Sequence, residues 1–203
     1  MVQELFDRAE NCLKEQLPFV LYSKPSETEL VGVFQNNDEV QKVKDFTETG
    51  FVFAPFDLSS EAILLKMDAV EKVPLSLPHE VLTASNNSIK NNIEEKARYT
   101  KLISNAIDSI EKGKFNKVVL SRKIEVDFKE NHFEVYQRIL NVYKKAFCYF
   151  WYHPKIGIWM GATPEILVKS NGSQFATMSL AGTQNSVGND EPRWTEKELN
   201  EQQ

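Results

Sequence analysis

Residues 156–183, IGIWMGATPEILVKSNGSQFATMSLAGT, form the stretch around which the rest of the chain is organised. Two apolar runs at 166–169 and 174–180 flank Asn171-Gly172, and this dipeptide between such runs is the strongest short signal for a β-hairpin. Both residues tolerate the positive φ of a type I′ turn. We therefore predict a hairpin with Asn171-Gly172 as its turn and with Ser170 opposite Ser173.

The predicted hairpin brings two patches of small residues together. GATPE (161–165) would lie beside SLAGT (179–183), with Gly161 near Gly182. Small residues allow a ligand or a second backbone to approach closely. Glu165 stands beside this gap, and we therefore expect the chemistry of the protein here.

Composition excludes several classes of protein. The 203 residues are 41% apolar and 26% charged, as in an ordinary globular domain. A formal charge of −5 without a basic stripe argues against a nucleic-acid partner. The sequence contains no run of about 18 apolar residues, so no membrane span is predicted. The N-terminus lacks the basic and then apolar layout of a signal peptide. We predict a cytoplasmic protein in which Cys12 and Cys148 are reduced thiols rather than a disulfide.

Hydrophobic periodicity predicts an α+β chain with antiparallel sheet between helices. Helices are expected at 2–16, 91–111 and 133–147, with Gly113 as the C-cap of the second. The interval 68–90 contains prolines and an SNNS cluster, which indicate loop, and we place the organisational break there. Strands are expected at 17–22, 30–35, 51–56, 62–67, 115–128, 148–152 and 156–160, besides the hairpin.

Two residues could carry acid–base chemistry. Lys117 lies in an apolar run, where it is either a lysine that reaches water at a strand edge or a partly desolvated base with a lowered pKa. Glu165 follows Pro164 and is either a surface carboxylate or an acid kept protonated until it donates.

The final acidic segment also has two interpretations. Trp194–Gln203 has the start signals of a helix, with Thr195 as a cap and Glu198 three residues on. Glu198 and Glu201 would share a helix face, which is either solvated surface or a site for Mg²⁺. The three histidines have no metal-ligand spacing, and no phosphate-binding loop or nucleophile elbow is present.

Four ordered motifs carry a resemblance to a known family: FNKVVLSR (115–122), GATPEILV (161–168), SLAGT (179–183) and WTEKELNEQ (194–202). Their order and spacing resemble the chorismate-utilising enzymes, which include isochorismate, salicylate and anthranilate synthases and aminodeoxychorismate synthase component I. The resemblance divides the chain into 1–90, similar to the family's variable N-terminal part, and 91–203, similar to the first part of its catalytic region.

The resemblance implies roles for individual residues. Lys117 matches the lysine that activates water for attack at C2 of chorismate, and Glu165 matches the general acid that assists departure of the C4 hydroxyl. Glu201 matches a glutamate that ligates Mg²⁺, which holds the substrate carboxylate. Gly182 and Thr183 match the segment that lines the substrate ring, and Ala181 precedes them.

The same positions favour one member of the family. Aminodeoxychorismate synthases have a nucleophilic lysine where this chain has Ala181, so that member is disfavoured. Gln184 stands where anthranilate synthases usually continue with Arg-Pro-Arg-Gly, which favours isochorismate synthase. Anthranilate or salicylate synthase, and a non-catalytic fragment that retains the fold, remain the alternatives. The product would serve either quinone (menaquinone) or siderophore synthesis.

The resemblance also implies missing parts. In the family the catalytic region continues beyond the position of Gln203 and supplies a second Mg²⁺ glutamate and the basic residues that bind substrate carboxylates. We expect the 203-residue chain to be a truncated enzyme that does not convert chorismate alone, because orientation contributes about 7–11 kcal/mol to such barriers. We also expect an exposed sheet edge to favour self-association.

Overall fold

The computed structural model describes residues 1–57, 59–76 and 93–178. These residues form two compact units. Unit 1 contains the described residues up to 76 together with 132–178, and unit 2 contains 93–131. Helices and antiparallel sheets occur together, which confirms the predicted α+β class.

Unit 2 contains one described helix, α2, and the other described elements belong to unit 1. In chain order the elements are α1 (Val2–Lys14), β1 (Phe19–Ser23), β2 (Glu29–Phe34), β3 (Gln41–Lys42), β4 (Phe51–Phe53), β5 (Ile63–Leu65), β6 (Ala69–Pro74), α2 (Ile93–Glu111), α3 (His132–Val142), β7 (Phe147–His153), β8 (Gly157–Thr163), β9 (Lys169–Asn171) and β10 (Gln174–Ala176).

A five-stranded antiparallel sheet forms the centre of unit 1, in the order β6-β2-β1-β7-β8. A three-stranded antiparallel sheet has the order β3-β5-β4, and β9 and β10 form a separate hairpin. Because β1 pairs with both β2 and β7, residues near the two ends of the described chain share one sheet.

The five-stranded sheet buries both faces. On one face α1 and α3 cover a cluster that includes the buried Leu5, Phe6 and Tyr136. The Tyr136 hydroxyl donates to the Leu21 carbonyl at 3.1 Å and thus ties α3 to β1. On the other face Trp151 packs with Leu65 and the valines of β1 and β2, against the three-stranded sheet. Unit 1 therefore has three layers: helices, a large sheet and a small sheet.

The interval 68–90 contains a strand that the sequence analysis predicted to be loop. Ala69–Pro74 forms β6, which pairs with the whole length of β2. Pro74 is tolerated because it is the last residue of an edge strand, where no backbone N–H is needed for the ladder. The prediction of loop was wrong for these six residues, and residues 77–92 lie outside the described part.

The predicted strand at 115–128 is not formed. The chain from 114 to 131 has no regular secondary structure, and most of its side chains are exposed. A strand needs a neighbour to pair its backbone N–H and C=O groups. Among the described residues of unit 2, the alternation of FNKVVLSR has no strand beside it, so the pattern alone does not produce a strand.

The hairpin forms with a different turn. Asn171 pairs with Gln174, so the turn residues are Gly172 and Ser173 rather than Asn171 and Gly172. Gly172 has φ +60°, and Ser173 is not among the residues with positive φ. A positive φ at the first turn position only is the pattern of a type II′ turn, which requires Gly at that position. The predicted register put Ser170 opposite Ser173, whereas Ser170 pairs with Phe175, so the prediction was wrong by two residues. Only Lys169 of the predicted strand 166–169 lies in β9.

Helix α2 ends at Glu111, and Gly113 caps it as predicted. Gly113 has φ +67°, its N–H donates to the Ile110 carbonyl at 2.9 Å, and the Lys114 N–H donates to the Ser109 carbonyl at 3.0 Å. These two bonds and the left-handed glycine are those of a Schellman motif. None of the α2 residues is buried.

Two further expectations have different outcomes. Cys12 and Cys148 are both free thiols, as predicted. The division at residues 90 and 91 stays a prediction about family regions, and it does not coincide with the two structural units, because β7 and β8 join β1 in one sheet.

Gly32 lies where α1 crosses the sheet, and we expect Gly32→Ala to lower the free energy of unfolding by about 1–3 kcal/mol. An added Cβ would lie 2.6 Å from Leu5 Cδ1 and 2.9 Å from Phe34 Cε2, and both side chains are buried. Urea denaturation measures the loss. In the Leu5→Ala background the same substitution should cost less, because the nearest atom is gone; equal costs in both backgrounds would contradict the clash.

His153 is buried at the end of β7, and we expect it to make stability depend on pH. Burial lowers the pKa of His153 below its ordinary 6.5 and outweighs the Glu39 carbonyl, which raises it. Because the unfolded state then binds more protons, stability should be complete above about pH 6.5 and fall as the pH drops toward the folded-state pKa. Urea denaturation between about pH 7.5 and about pH 5.5, one unit either side of the free value, measures the slope. His153→Gln should flatten it, and an unchanged slope in that variant would contradict the assignment.

Candidate active site

The GATPE segment begins inside strand β8 and leaves the sheet at its end. Gly161, Ala162 and Thr163 pair with Tyr149, Cys148 and Phe147 of β7. Gly161 must be small because a Cβ would lie 2.9 Å from the Tyr149 ring. Burial raises the pKa of the Tyr149 hydroxyl, which favours its neutral form beside Gly161. The end of β8 is thus held by its ladder and by this ring.

Glu165 follows two residues after the strand ends. Pro164 restricts φ between them, and the Glu165 N–H donates to Thr163 Oγ1 at 3.4 Å. The Glu165 side chain is exposed in the described structure. Its position is therefore set by the end of a paired strand rather than by a long loop.

The return strand of the hairpin comes back to the same place. The Met178 N–H donates to the Ile166 carbonyl at 3.0 Å, and Thr177 Oγ1 donates to the Leu167 carbonyl at 2.7 Å. Ile166 is the residue after Glu165, and Met178 is the residue before SLAGT. The chain that enters SLAGT therefore lies beside the chain that leaves GATPE. Ala181, Gly182 and Thr183 lie outside the described residues.

Lys117 belongs to unit 2, whereas Glu165 belongs to unit 1. Lys117 is exposed, and so is the neighbouring Val119, at 86%. The described part of unit 2 does not supply the desolvation that a base at Lys117 would need. The pairing of Lys117 with Glu165 in one site stays a prediction.

No metal site can be assembled from the described residues alone. In 1–57, 59–76 and 93–178, no group of three or more His, Cys, Asp or Glu side chains could hold an ion. The predicted ligand Glu201, with Glu196 and Glu198, lies outside these ranges. A carboxylate is a ligand type that Mg²⁺ accepts, so the residue type of Glu201 fits the ion.

None of the described helices is long and apolar enough to cross a membrane.

Comparison with known proteins identifies the family. The sequence profile of the chorismate binding enzymes matches residues 20–203 of the chain. The chain belongs to this family. The match begins at residue 20, well before the region 91–203 in which the motifs indicated the resemblance. The family predicted from the four motifs is thereby confirmed.

One curated relative gives a more specific likeness. Over 81 residues the chain is 31% identical to an anthranilate synthase component 1 of Lactococcus lactis subsp. lactis (strain IL1403). The alignment covers 40% of this chain and 18% of that protein, so the likeness spans less than a fifth of the relative's length. No solved structure matches the chain.

Sequence reasoning missed the residues that hold GATPE in place. Tyr149 was counted only as part of the predicted strand at 148–152, and Thr163 was not singled out. A signal for Thr163 was present, since a threonine hydroxyl readily accepts from the N–H two residues on. The contact of Tyr149 with Gly161 depends on the pairing of β7 with β8 and has no local signal.

Proposed function

We propose that the protein carrying this sequence is an isochorismate synthase. It would convert chorismate to isochorismate by adding water at C2 and releasing the C4 hydroxyl. A C–O bond forms at C2, the ring double bonds shift, and the C–O bond at C4 breaks. The reaction is an isomerisation overall and needs neither an oxidant nor a reductant.

The observation that carries the proposal is the position of Glu165. It lies two residues after the end of β8 and directly before Ile166, whose carbonyl accepts a hydrogen bond from the Met178 N–H on the returning chain. A carboxylic acid fixed by a rigid strand end suits a general acid, because proton transfer requires a defined distance to the leaving oxygen. Glu165 would donate its proton to the departing C4 hydroxyl.

Lys117 would accept the proton of the attacking water. It must be neutral to do so, which requires desolvation by residues beyond those that surround it in unit 2. Ala181, Gly182 and Thr183 would line the substrate ring, and Glu201 would bind Mg²⁺. The ion would offset the negative charge of the substrate carboxylate. A cytoplasmic location fits a small-molecule substrate of this kind and is part of the proposal.

Two features favour isochorismate synthase over other members. Ala181 cannot attack carbon, whereas the aminodeoxychorismate enzymes have a lysine at that position. Gln184 departs from the Arg-Pro-Arg-Gly pattern of anthranilate synthases. Anthranilate synthase is the second candidate because the relative from Lactococcus bears that name. Salicylate synthase shares the same base and acid and would be recognised by its further product.

Product analysis tests the proposal. The complete protein, as its gene encodes it, is incubated with chorismate and Mg²⁺, with and without ammonium, and the products are separated by chromatography. We expect isochorismate in both cases and none after Mg²⁺ is removed by a chelator. Anthranilate formed only with ammonium would establish the second candidate, and salicylate with pyruvate would establish the third.

A further inference from the structure

We propose that Thr163 is a positioning residue for Glu165, an inference that rests on the proposed function of Glu165 as general acid. The Thr163 hydroxyl oxygen accepts a hydrogen bond from the Glu165 backbone N–H at 3.4 Å. This bond closes a turn of three residues directly at the end of β8. It fixes the backbone from which the Glu165 carboxyl group projects.

The acceptor of this bond, Thr163, is held in place by the sheet. Thr163 is the last paired residue of β8, opposite Phe147, and its side chain is half-buried. Two residues earlier, Gly161 lies against the Tyr149 ring, so this part of β8 has little room to shift. The hydroxyl is therefore held on an ordered backbone, and by accepting the Glu165 N–H it restricts the Glu165 backbone as well.

Pro164 makes the hydroxyl important. Its ring fixes φ near −65° but leaves ψ of Pro164 and φ of Glu165 to be set by other contacts. Proline also has no N–H, so the first N–H after the strand that can bond back is that of Glu165. The Thr163 hydroxyl is the acceptor for this N–H, at 3.4 Å, in the manner of threonine side chains in turns. Serine would preserve this acceptor, and valine would remove it while keeping the branched shape.

Two measurements on the complete protein test the proposal. The first is hydrogen exchange of the Glu165 amide by NMR, and the second is kcat and KM for chorismate. Thr163→Val should speed exchange of that amide and lower kcat by about three- to tenfold with KM unchanged. Thr163→Ser should behave as the parent in both measurements. Thr47→Val is the matched control, because it removes an exposed hydroxyl bonded to Asp45, in the segment between β3 and β4.

Each outcome decides the matter. Fast exchange and low kcat in Thr163→Val, with rescue by serine, support the proposal. Parent-like exchange of the Glu165 amide in Thr163→Val overturns it, and so does faster exchange without a fall in kcat. A serine variant as impaired as valine overturns it too, because that result indicates packing of the methyl group. If the parent protein does not convert chorismate, the proposed function fails, while the exchange data still decide whether Thr163 orders Glu165.

Discussion

Lys117→Ala is expected to lower kcat for isochorismate formation by about 10²–10⁴-fold, the usual contribution of a general base. The attacking water must lose a proton, and in the proposed reaction no other residue takes it. Because the Lys117 side chain is exposed in the described structure, the substitution should leave the fold intact. The measurement is kcat of the complete protein with saturating chorismate and Mg²⁺, together with a urea denaturation curve.

Two further variants separate a base from a positive charge. Lys117→Arg keeps the charge, but a guanidinium does not lose its proton in proteins, so this variant should be as slow as Lys117→Ala. Lys114→Ala, an exposed lysine of the same unit, should leave kcat unchanged. An active Lys117→Arg enzyme would contradict the role as base and would assign Lys117 to electrostatic binding of the substrate.

Trp151→Ala is expected to lower the free energy of unfolding of unit 1 by about 3–5 kcal/mol. Trp151 is fully buried between the two sheets. Its ring lies parallel to that of Phe53, with centroids 4.5 Å apart and planes at 16°, so it joins the large sheet to the small one. Removing it leaves a cavity that the surrounding strands cannot close without losing their pairing. The measurement is the midpoint and slope of urea denaturation, monitored by circular dichroism.

Trp159→Ala is the matched control. Trp159 pairs with Trp151 across β7 and β8 but is 51% exposed. The same atoms are deleted from a site that solvent can fill, so the expected loss is about 1 kcal/mol or less. Equal losses at the two positions would show that burial between the sheets is not what makes Trp151 stabilising.

Much of the fold of unit 1 could be predicted because its signals are local. The spacing of Leu5, Phe6 and Ala9 makes α1 amphipathic, and these are the residues it buries. The apolar runs of β1, β2 and β7 are buried strands, as their composition indicates. Strand β6 was missed because the prolines nearby suggest loop, although Pro74 takes the terminal position of an edge strand, where proline is allowed.

Other features depend on partners and not on local pattern. FNKVVLSR alternates as a strand does, but a strand exists only where another pairs with it. The turn of the hairpin was displaced by one residue because both Asn171 and Gly172 suit a turn, and the choice depends on which of them takes positive φ.

For the candidate site, the GATPE motif indicated Glu165, and the hydrogen bond from Met178 to Ile166 joins the residue that precedes SLAGT to the residue that follows GATPE. Thr163 and Tyr149 could not be ranked from sequence, because their importance comes from contacts with Glu165 and Gly161. The roles of Lys117, Ala181, Gly182, Thr183 and Glu201 remain predictions from the resemblance.

The source of the new oxygen in the product tests the central claim most directly. The complete protein is incubated with chorismate and Mg²⁺ in ¹⁸O-labelled water, and the product is examined by chromatography and mass spectrometry with fragmentation. We predict isochorismate that carries one heavy oxygen, at C2, and that has lost the original C4 hydroxyl. Isochorismate without the label, or anthranilate as the sole product when ammonium is supplied, would contradict the addition of water at C2.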